Sequence, residues 1–380
     1  MSPAPARLPW IDHLRTLAIV FVVNTHACVT YSHVGDWYVM SDREPTLAAK
    51  IPFIVWQAHL QSFFMGLLFF VAGYFAHGSL TRRGPGAFVR ERLFRLGMPA
   101  LFYMLAIHPL IVRGINPWHA DFPPVLTYYG HYLASGRFLG SSGPLWFAVA
   151  LLIFCLGLAA WRKLRPLLVN SGASATAEAP RVGAVWLFAA ALGVGSFLVR
   201  LVQPLGTNVL NLQLGYFTQY VAAFAVGVAA ARHGWLLALA GSTQAWRAGW
   251  LTLFLSPPVL LALLLLGMNG KTGDFLGGWH WQAFGLAVWE QLAGVGLSLG
   301  LMALFTAKLN RDGPVLRLLA DRSFAVYVLH APVLVALYLV LRPLPQRAAG
   351  LAALLTLAGL IVSYALADLA RRVPGLRAIL

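Results

Sequence analysis

About ten separate stretches of this chain stay apolar over the ~20 residues a helix needs to cross ~30 Å of hydrocarbon, and nothing else restricts its fold so severely. They run at roughly 14–33, 51–77, 97–114, 144–161, 182–200, 214–232, 246–267, 281–305, 323–342 and 348–370. In lipid every backbone N–H and C=O must be satisfied within the segment, so each stretch reads as a helix. Charged residues make up only 11% of the 380, against roughly 25% in soluble domains. That is too little charge to cover a globule in water. The expectation is an all-α polytopic membrane protein: a bundle of about ten transmembrane helices forming one domain over residues 1–380.

The formal charge of +16 raises the question of nucleic acid, but it is spread through short loops between apolar runs and no soluble basic domain carries it. Cationic loops facing the cytoplasm account for it instead. With ten helices and both termini inside, 20 of the 28 lysines and arginines fall on the cytoplasmic side. Adding or removing one helix scrambles that alternation. An inner-membrane, multi-pass location follows, with the lipid bilayer as partner and no nucleic acid. Cys28 and Cys155 both sit in apolar runs, which argues against a disulfide framework. The first run follows Arg7 and Arg15 as a signal peptide would, but Thr25-His26-Ala27-Cys28 is a poor cleavage site, so it reads as a retained helix. Ser171-Gly172-Ala173-Ser174 and Glu178 mark 162–181 as a flexible cytoplasmic linker, and 115–143 is too polar to span and reads as interfacial or re-entrant.

An ionisable side chain inside hydrocarbon is expensive, so each one is a functional candidate. Arg15 and His26 are 11 residues apart, which places them within about 20° of one helix face and ~16 Å apart along it. Asp12, three residues before Arg15, shares that face and is positioned to pair with it. With Arg15 at the cytoplasmic interface, His26 falls past the midplane. His59 and Ser62 on the second span and Glu290 on the eighth come to a similar depth, which suggests an outer-half cluster of His26, His59 and Glu290. Tyr327 and His330 are expected in the cytoplasmic half, and His108, before Pro109, reads as structural. The loop Arg82-Arg83 to Arg90-Glu91-Arg92-Leu93-Phe94-Arg95 is the densest basic run. Arg92 and Arg95 share a helix face, either as topology-setting charge or as a grip on phosphate. Trp37, Tyr38, Trp118, Tyr128, Tyr129, Tyr132, Trp279 and Trp281 gather in outer loops, as an aromatic belt at the headgroups or as sugar-stacking surfaces.

Four blocks now stand out: Asp12-His13-Leu14-Arg15 with His26 after ten further residues, continuing to Tyr31-Ser32-His33; Phe69-Phe70-Val71-Ala72-Gly73-Tyr74-Phe75 leading to Arg92, Arg95 and Pro99; Pro144-Leu145-Trp146-Phe147; and Ser323-Phe324-Ala325-Val326-Tyr327-Val328-Leu329-His330 with Pro332. In this order the chain resembles the membrane acyltransferase-3 family, and within it the proteins that acylate periplasmic glucans. His13 departs from a common aromatic and Ala72 from a frequent serine. The resemblance implies transfer of an acyl group, acetyl or succinyl, from cytoplasmic acyl-CoA to a hydroxyl of an extracytoplasmic glycan or glycan-like acceptor.

The implied roles follow. His26 is a general base or an acyl-accepting nucleophile, and Arg15 positions the thioester. Arg92 and Arg95 hold CoA phosphates, and Tyr327 and His330 line the donor tunnel. Glu290 orients His26, while Asp12, His59 and Trp146 contact substrate. Acyl-CoA is a co-substrate; no metal and no permanently bound cofactor is expected. The rival reading is a transporter or flippase of a lipid-linked or acylated molecule. Against it, the halves lack the matching Gly/Pro-broken helices that many secondary transporters carry.

Overall fold

The computed structural model describes residues 8–115, 123–164, 180–345 and 347–379. Arg7, Trp118, Arg165, Glu178, most of the linker and part of the 115–143 segment lie outside the described residues. Among the described residues, nine helical stretches are long and apolar enough to cross a membrane. They are α1 (Pro9–Ser32), α2 (Leu47–Ile115), α4 (Gly143–Leu164), α5 (Val182–Arg200), α6 (Leu214–His233), α7 (Thr243–Leu266), α8 (Trp281–Lys308), α9 (Pro314–Leu341) and α10 (Ala348–Ala370). Between α2 and α4 lies α3 (Val125–Ala134), whose 10 residues extend only ~15 Å, too short to cross.

Nine stretches hold ten traversals, because α2 reverses. Gly84 adopts φ 76° and ψ 165°, an angle pair that favours glycine, and Pro85 follows it. Before the bend, Gln57 donates to the Ser32 hydroxyl (3.2 Å), at the C-terminal end of α1. Across it, Arg83 pairs with Glu91 (2.5 Å), and further on the Tyr103 hydroxyl meets that of Tyr38 (3.1 Å), again just past the C-terminal end of α1. The two arms therefore run in opposite directions and supply two of the ten expected spans. The second arm winds with wide π turns at Leu93–Gly97, Tyr103–Ile107 and Leu110–Ile115. Pro99 and Pro109, which lack an N–H, interrupt its regular hydrogen-bond ladder.

Helix α1 lies inside the bundle, packed against α9, α10 and the first arm of α2. Its buried stripe includes Trp10, Ile11, Leu14, Ala18, Val22, Val23 and Ala27. Where α2 crosses α6, a Cβ on Gly73 would stand 2.2 Å from the Phe224 carbonyl oxygen, and one on Gly227 2.0 Å from that of Phe70. Backbone therefore rests on backbone there, the close approach that small residues permit in membrane bundles. Leu251, Phe254 and Leu255 on α7 and Leu357 and Ile361 on α10 face outward, as lipid-facing side chains do. Cys28 and Cys155 are buried free thiols.

Candidate active site

His26 sits one and a half turns before the end of α1. His33, in the left-handed region at φ 57°, stops the helix. Its ring Nε2–H donates to the Ser41 carbonyl (2.9 Å), and the Ser41 N–H donates to the Thr30 carbonyl (2.8 Å). The loop is thereby pinned back over α1, and Trp37 lies flat on His26 with ring centroids 3.6 Å apart and planes 16° from parallel. From α9, His330 stacks on His26 at 5.4 Å and 17°, and Tyr327, one turn earlier, stacks on His330 at 6.1 Å and 22°.

Three ring nitrogens in this stack have no hydrogen-bond partner among the described residues: His26 Nδ1, Trp37 Nε1 and His330 Nε2. A buried polar atom left unmade costs about 1–3 kcal/mol. His330 is fully buried, and its Nδ1 lies 2.7 Å from the Tyr327 carbonyl. A carbonyl only accepts, so Nδ1 carries the proton and Nε2 presents a lone pair. The half-buried His26 has no such bond to fix its tautomer. The stack thus offers one donor, one acceptor and one nitrogen free to be either.

The frame around it is rigid. The Tyr327 hydroxyl donates to the Pro144 carbonyl. Gly143, at φ 49°, allows this approach, since a Cβ there would stand 2.5 Å from the Tyr38 hydroxyl. Asn211 ties the same turn down, donating to the Ser142 hydroxyl and the Gly143 carbonyl at 2.8 Å each. The Tyr38 hydroxyl also meets His108 Nδ1 (2.8 Å), and burial pushes this loop phenol well above its usual range, so it stays a neutral hydroxyl. Trp146 stacks on Tyr220 (5.5 Å) and connects through Phe147, whose ring stands edge-on to Tyr327 (6.4 Å).

At the opposite end of α1 lies the basic rim. Arg15 is 48% exposed and 3.8 Å from Asp12, the pairing that their spacing predicts. Arg92 and Arg95 lie within electrostatic range of Arg15. Arg92 rests on the Phe88 ring (5.1 Å) with its Nε unpartnered among the described residues, and Arg95 stands 3.7 Å from Glu91. A depression of about 530 Å³ opens at this end beside the turn before α9, not at His26. Its arginines are already paired, Arg317 with Asp312 and Arg322 with Asp368, which leaves them poorly suited to phosphate.

Two expected members are elsewhere. Glu290 meets Arg200 of α5: both carboxylate oxygens accept from Arg200 Nη2, at 3.0 and 2.8 Å, and Gln291 adds a third bond (3.1 Å). Arg200 also donates to the Gly215 carbonyl (3.1 Å) and lies over Tyr216 (5.3 Å). Glu290 therefore orients Arg200, not His26. His59 is equally committed, to the Val55 carbonyl (2.6 Å) and the Ser256 hydroxyl (3.0 Å). Equal depth did not mean one cluster, because the two residues face different neighbours. His330, expected nearer the cytoplasm, is level with His26, because α9 starts at Pro314 and not at 323.

Sequence reasoning missed Arg200, a charge at a span end, although an intramembrane carboxylate demands a cation. It also missed Asn24, which accepts from Trp56 Nε1 (2.7 Å) and donates to Thr356 (3.2 Å). Trp37 and Tyr38 pack into the candidate site, Trp37 on His26 and Tyr38 against His108, whereas Trp279 and Trp281 are exposed.

A family model described as an acyltransferase domain matches residues 8–368. No curated protein and no solved structure gives a match.

Proposed function

The chain belongs to the membrane acyltransferase-3 family and is a membrane acyltransferase, and from that premise we propose that it moves an acetyl or succinyl group from cytoplasmic acyl-CoA to a hydroxyl of an extracytoplasmic glycan. The observation that carries this reading is the ring stack of Trp37, His26 and His330, with three buried nitrogens lacking a partner among the described residues. Such atoms are costly unless a ligand completes them. Proton-handling imidazoles in that setting suit acyl transfer, in which a hydroxyl must lose a proton and a thiolate must leave.

The basic rim fits the other end of the donor. Arg92 and Arg95 grip the CoA phosphates, Arg15 with Asp12 guides the pantetheine arm into the bundle, and Tyr327 and Trp146 line its way to His26. The ~16 Å between Arg15 and His26 is a span that an extended pantetheine arm covers. This orientation puts the basic end in the cytoplasm of an inner membrane, in line with the positive-inside bias. The test uses membranes given labelled acetyl- or succinyl-CoA and a linear β-glucan oligosaccharide. His26→Ala should lower transfer at least ~100-fold, the usual worth of acid–base catalysis, at unchanged folded yield. Transfer at the wild-type rate removes the reading.

A further inference from the structure

We propose that His330 is the general base of the transfer, its Nε2 taking the proton of the acceptor hydroxyl while His26 faces the acyl carbonyl. The inference rests on the reading of His26 as part of the reacting centre, and it divides labour between the two imidazoles. A general base needs a lone pair aimed at the hydroxyl and its other nitrogen tied to a fixed acceptor that holds ring and tautomer in place. His330 meets both conditions: Nδ1–H bonds the Tyr327 carbonyl at 2.7 Å, and Nε2 is buried with no partner among the described residues. His26 lacks the second, because its Nδ1 has no partner among the described residues and the carboxylate expected to orient it is held by Arg200.

The orienting group is itself anchored. Tyr327 donates its hydroxyl to the Pro144 carbonyl, so this turn of α9 is fastened to the start of α4 and cannot rotate its carbonyl away from His330. The two imidazole planes are 17° from parallel with centroids 5.4 Å apart. The Nε2 lone pair lies in the plane of its ring, so the acceptor hydroxyl approaches His330 at the ring edge and not between the two layers, with the acyl carbon it attacks ~3–3.5 Å away in a near-attack pair. In the step, the acceptor O–H bond breaks and its proton goes to His330 Nε2. The oxygen forms a bond to the acyl carbon, and the carbon–sulfur bond breaks with its electron pair leaving on the CoA thiolate. The imidazolium proton then passes to that thiolate or to water, restoring the base. The Tyr327 carbonyl, already bonded to Nδ1–H, stabilises the transient cation.

The discriminating variant is His330→Asn, whose amide N–H replaces Nδ1–H against the Tyr327 carbonyl but puts no lone pair at Nε2. With labelled acetyl-CoA and succinyl-CoA and the β-glucan oligosaccharide, kcat should fall about 100-fold or more with KM for the donor nearly unchanged. With hydroxylamine as acceptor, an amine that attacks without prior deprotonation, variant and wild type should react alike. ¹⁵N NMR of histidine-labelled protein should find His330 protonated on Nδ1. The proposal is overturned if His330→Asn acylates the oligosaccharide at the wild-type rate, if hydroxylamine fails to rescue it, or if the proton is on Nε2. A dead His26→Ala beside an unimpaired His330→Asn removes this proposal and keeps the transferase reading. A fully active His26→Ala, or wild-type membranes that acylate neither acceptor, removes both.

Discussion

Glu290→Gln separates a structural carboxylate from a catalytic one. Arg200 and Glu290 are 0% and 6% exposed in their side chains and joined at 2.8 Å. Neutralising Glu290 leaves a buried guanidinium without its counter-charge, and breaking such a pair from one side costs about 3–5 kcal/mol. Over 380 residues, unfolding entropy of roughly 2.1 cal/mol/K per residue makes 4 kcal/mol a Tm loss of about 5 °C. Replacing both partners, Arg200→Met with Glu290→Met, should recover most of that loss, since a well-packed apolar pair of similar volume is often neutral or better. The assay is thermal unfolding of the detergent-solubilised protein, paired with acyl transfer per folded molecule. The single variant should melt early yet retain wild-type turnover below its melting range. Undiminished Tm together with lost turnover would refute the reasoning and return Glu290 to the chemistry.

Removing the two rim arginines together, Arg92→Ala with Arg95→Ala, should raise KM for acyl-CoA about 10-fold or more, because each charge-assisted phosphate contact is worth roughly 1.5–3 kcal/mol. Its kcat should hold in steady-state assays, and an unchanged KM would exclude this rim as the CoA grip. Gly227→Ala forces a Cβ to within 2.0 Å of the Phe70 carbonyl oxygen. Separating α2 from α6 to relieve that clash should cost about 1–3 kcal/mol, as overpacking does, read as a lower Tm in the same unfolding assay.

The bundle was legible because hydrophobic run length is a one-dimensional property that the bilayer reads directly. Among the described residues nine apolar helices stand for the ten expected spans, two of which are fused into α2, and the Gly84-Pro85 step that reverses it is local chemistry visible in the chain. The Arg15–Asp12 pair and the shared face of Arg15 and His26 were equally legible, because both depend only on helical periodicity within α1. Depth assignments carried less. A span edge set nine residues late displaced His330 by ~13 Å and hid its stacking on His26. Lateral placement was not legible at all: which neighbour Glu290 or His59 faces depends on helix order around the bundle, and no periodicity encodes that order. Nor could Trp37 be separated from belt tryptophans, since its position on His26 comes from the His33–Ser41 loop closure.

The bundle contains two intramembrane polar centres, and how each meets its own electrostatic demand separates them. Around Glu290 the charge is matched within the chain: the carboxylate finds a guanidinium and a neighbouring amide, and that ion pair ties α5 to α8. Arg200 Nη1 and Gln291 Oε1 are buried there without a partner among the described residues, but the two charges neutralise each other. Around His26 the centre is built from aromatic and imidazole rings instead. The rings are held by stacking, and three of their nitrogens are fixed in place without partners among the described residues. A folding optimum would trade such atoms for carbon, at a gain of about 1–3 kcal/mol each. Their retention on a frame fastened by Tyr327, Gly143 and Asn211 makes sense where the missing partners are supplied by a reacting hydroxyl and an acyl carbonyl, and where the stability forgone appears as a lowered barrier.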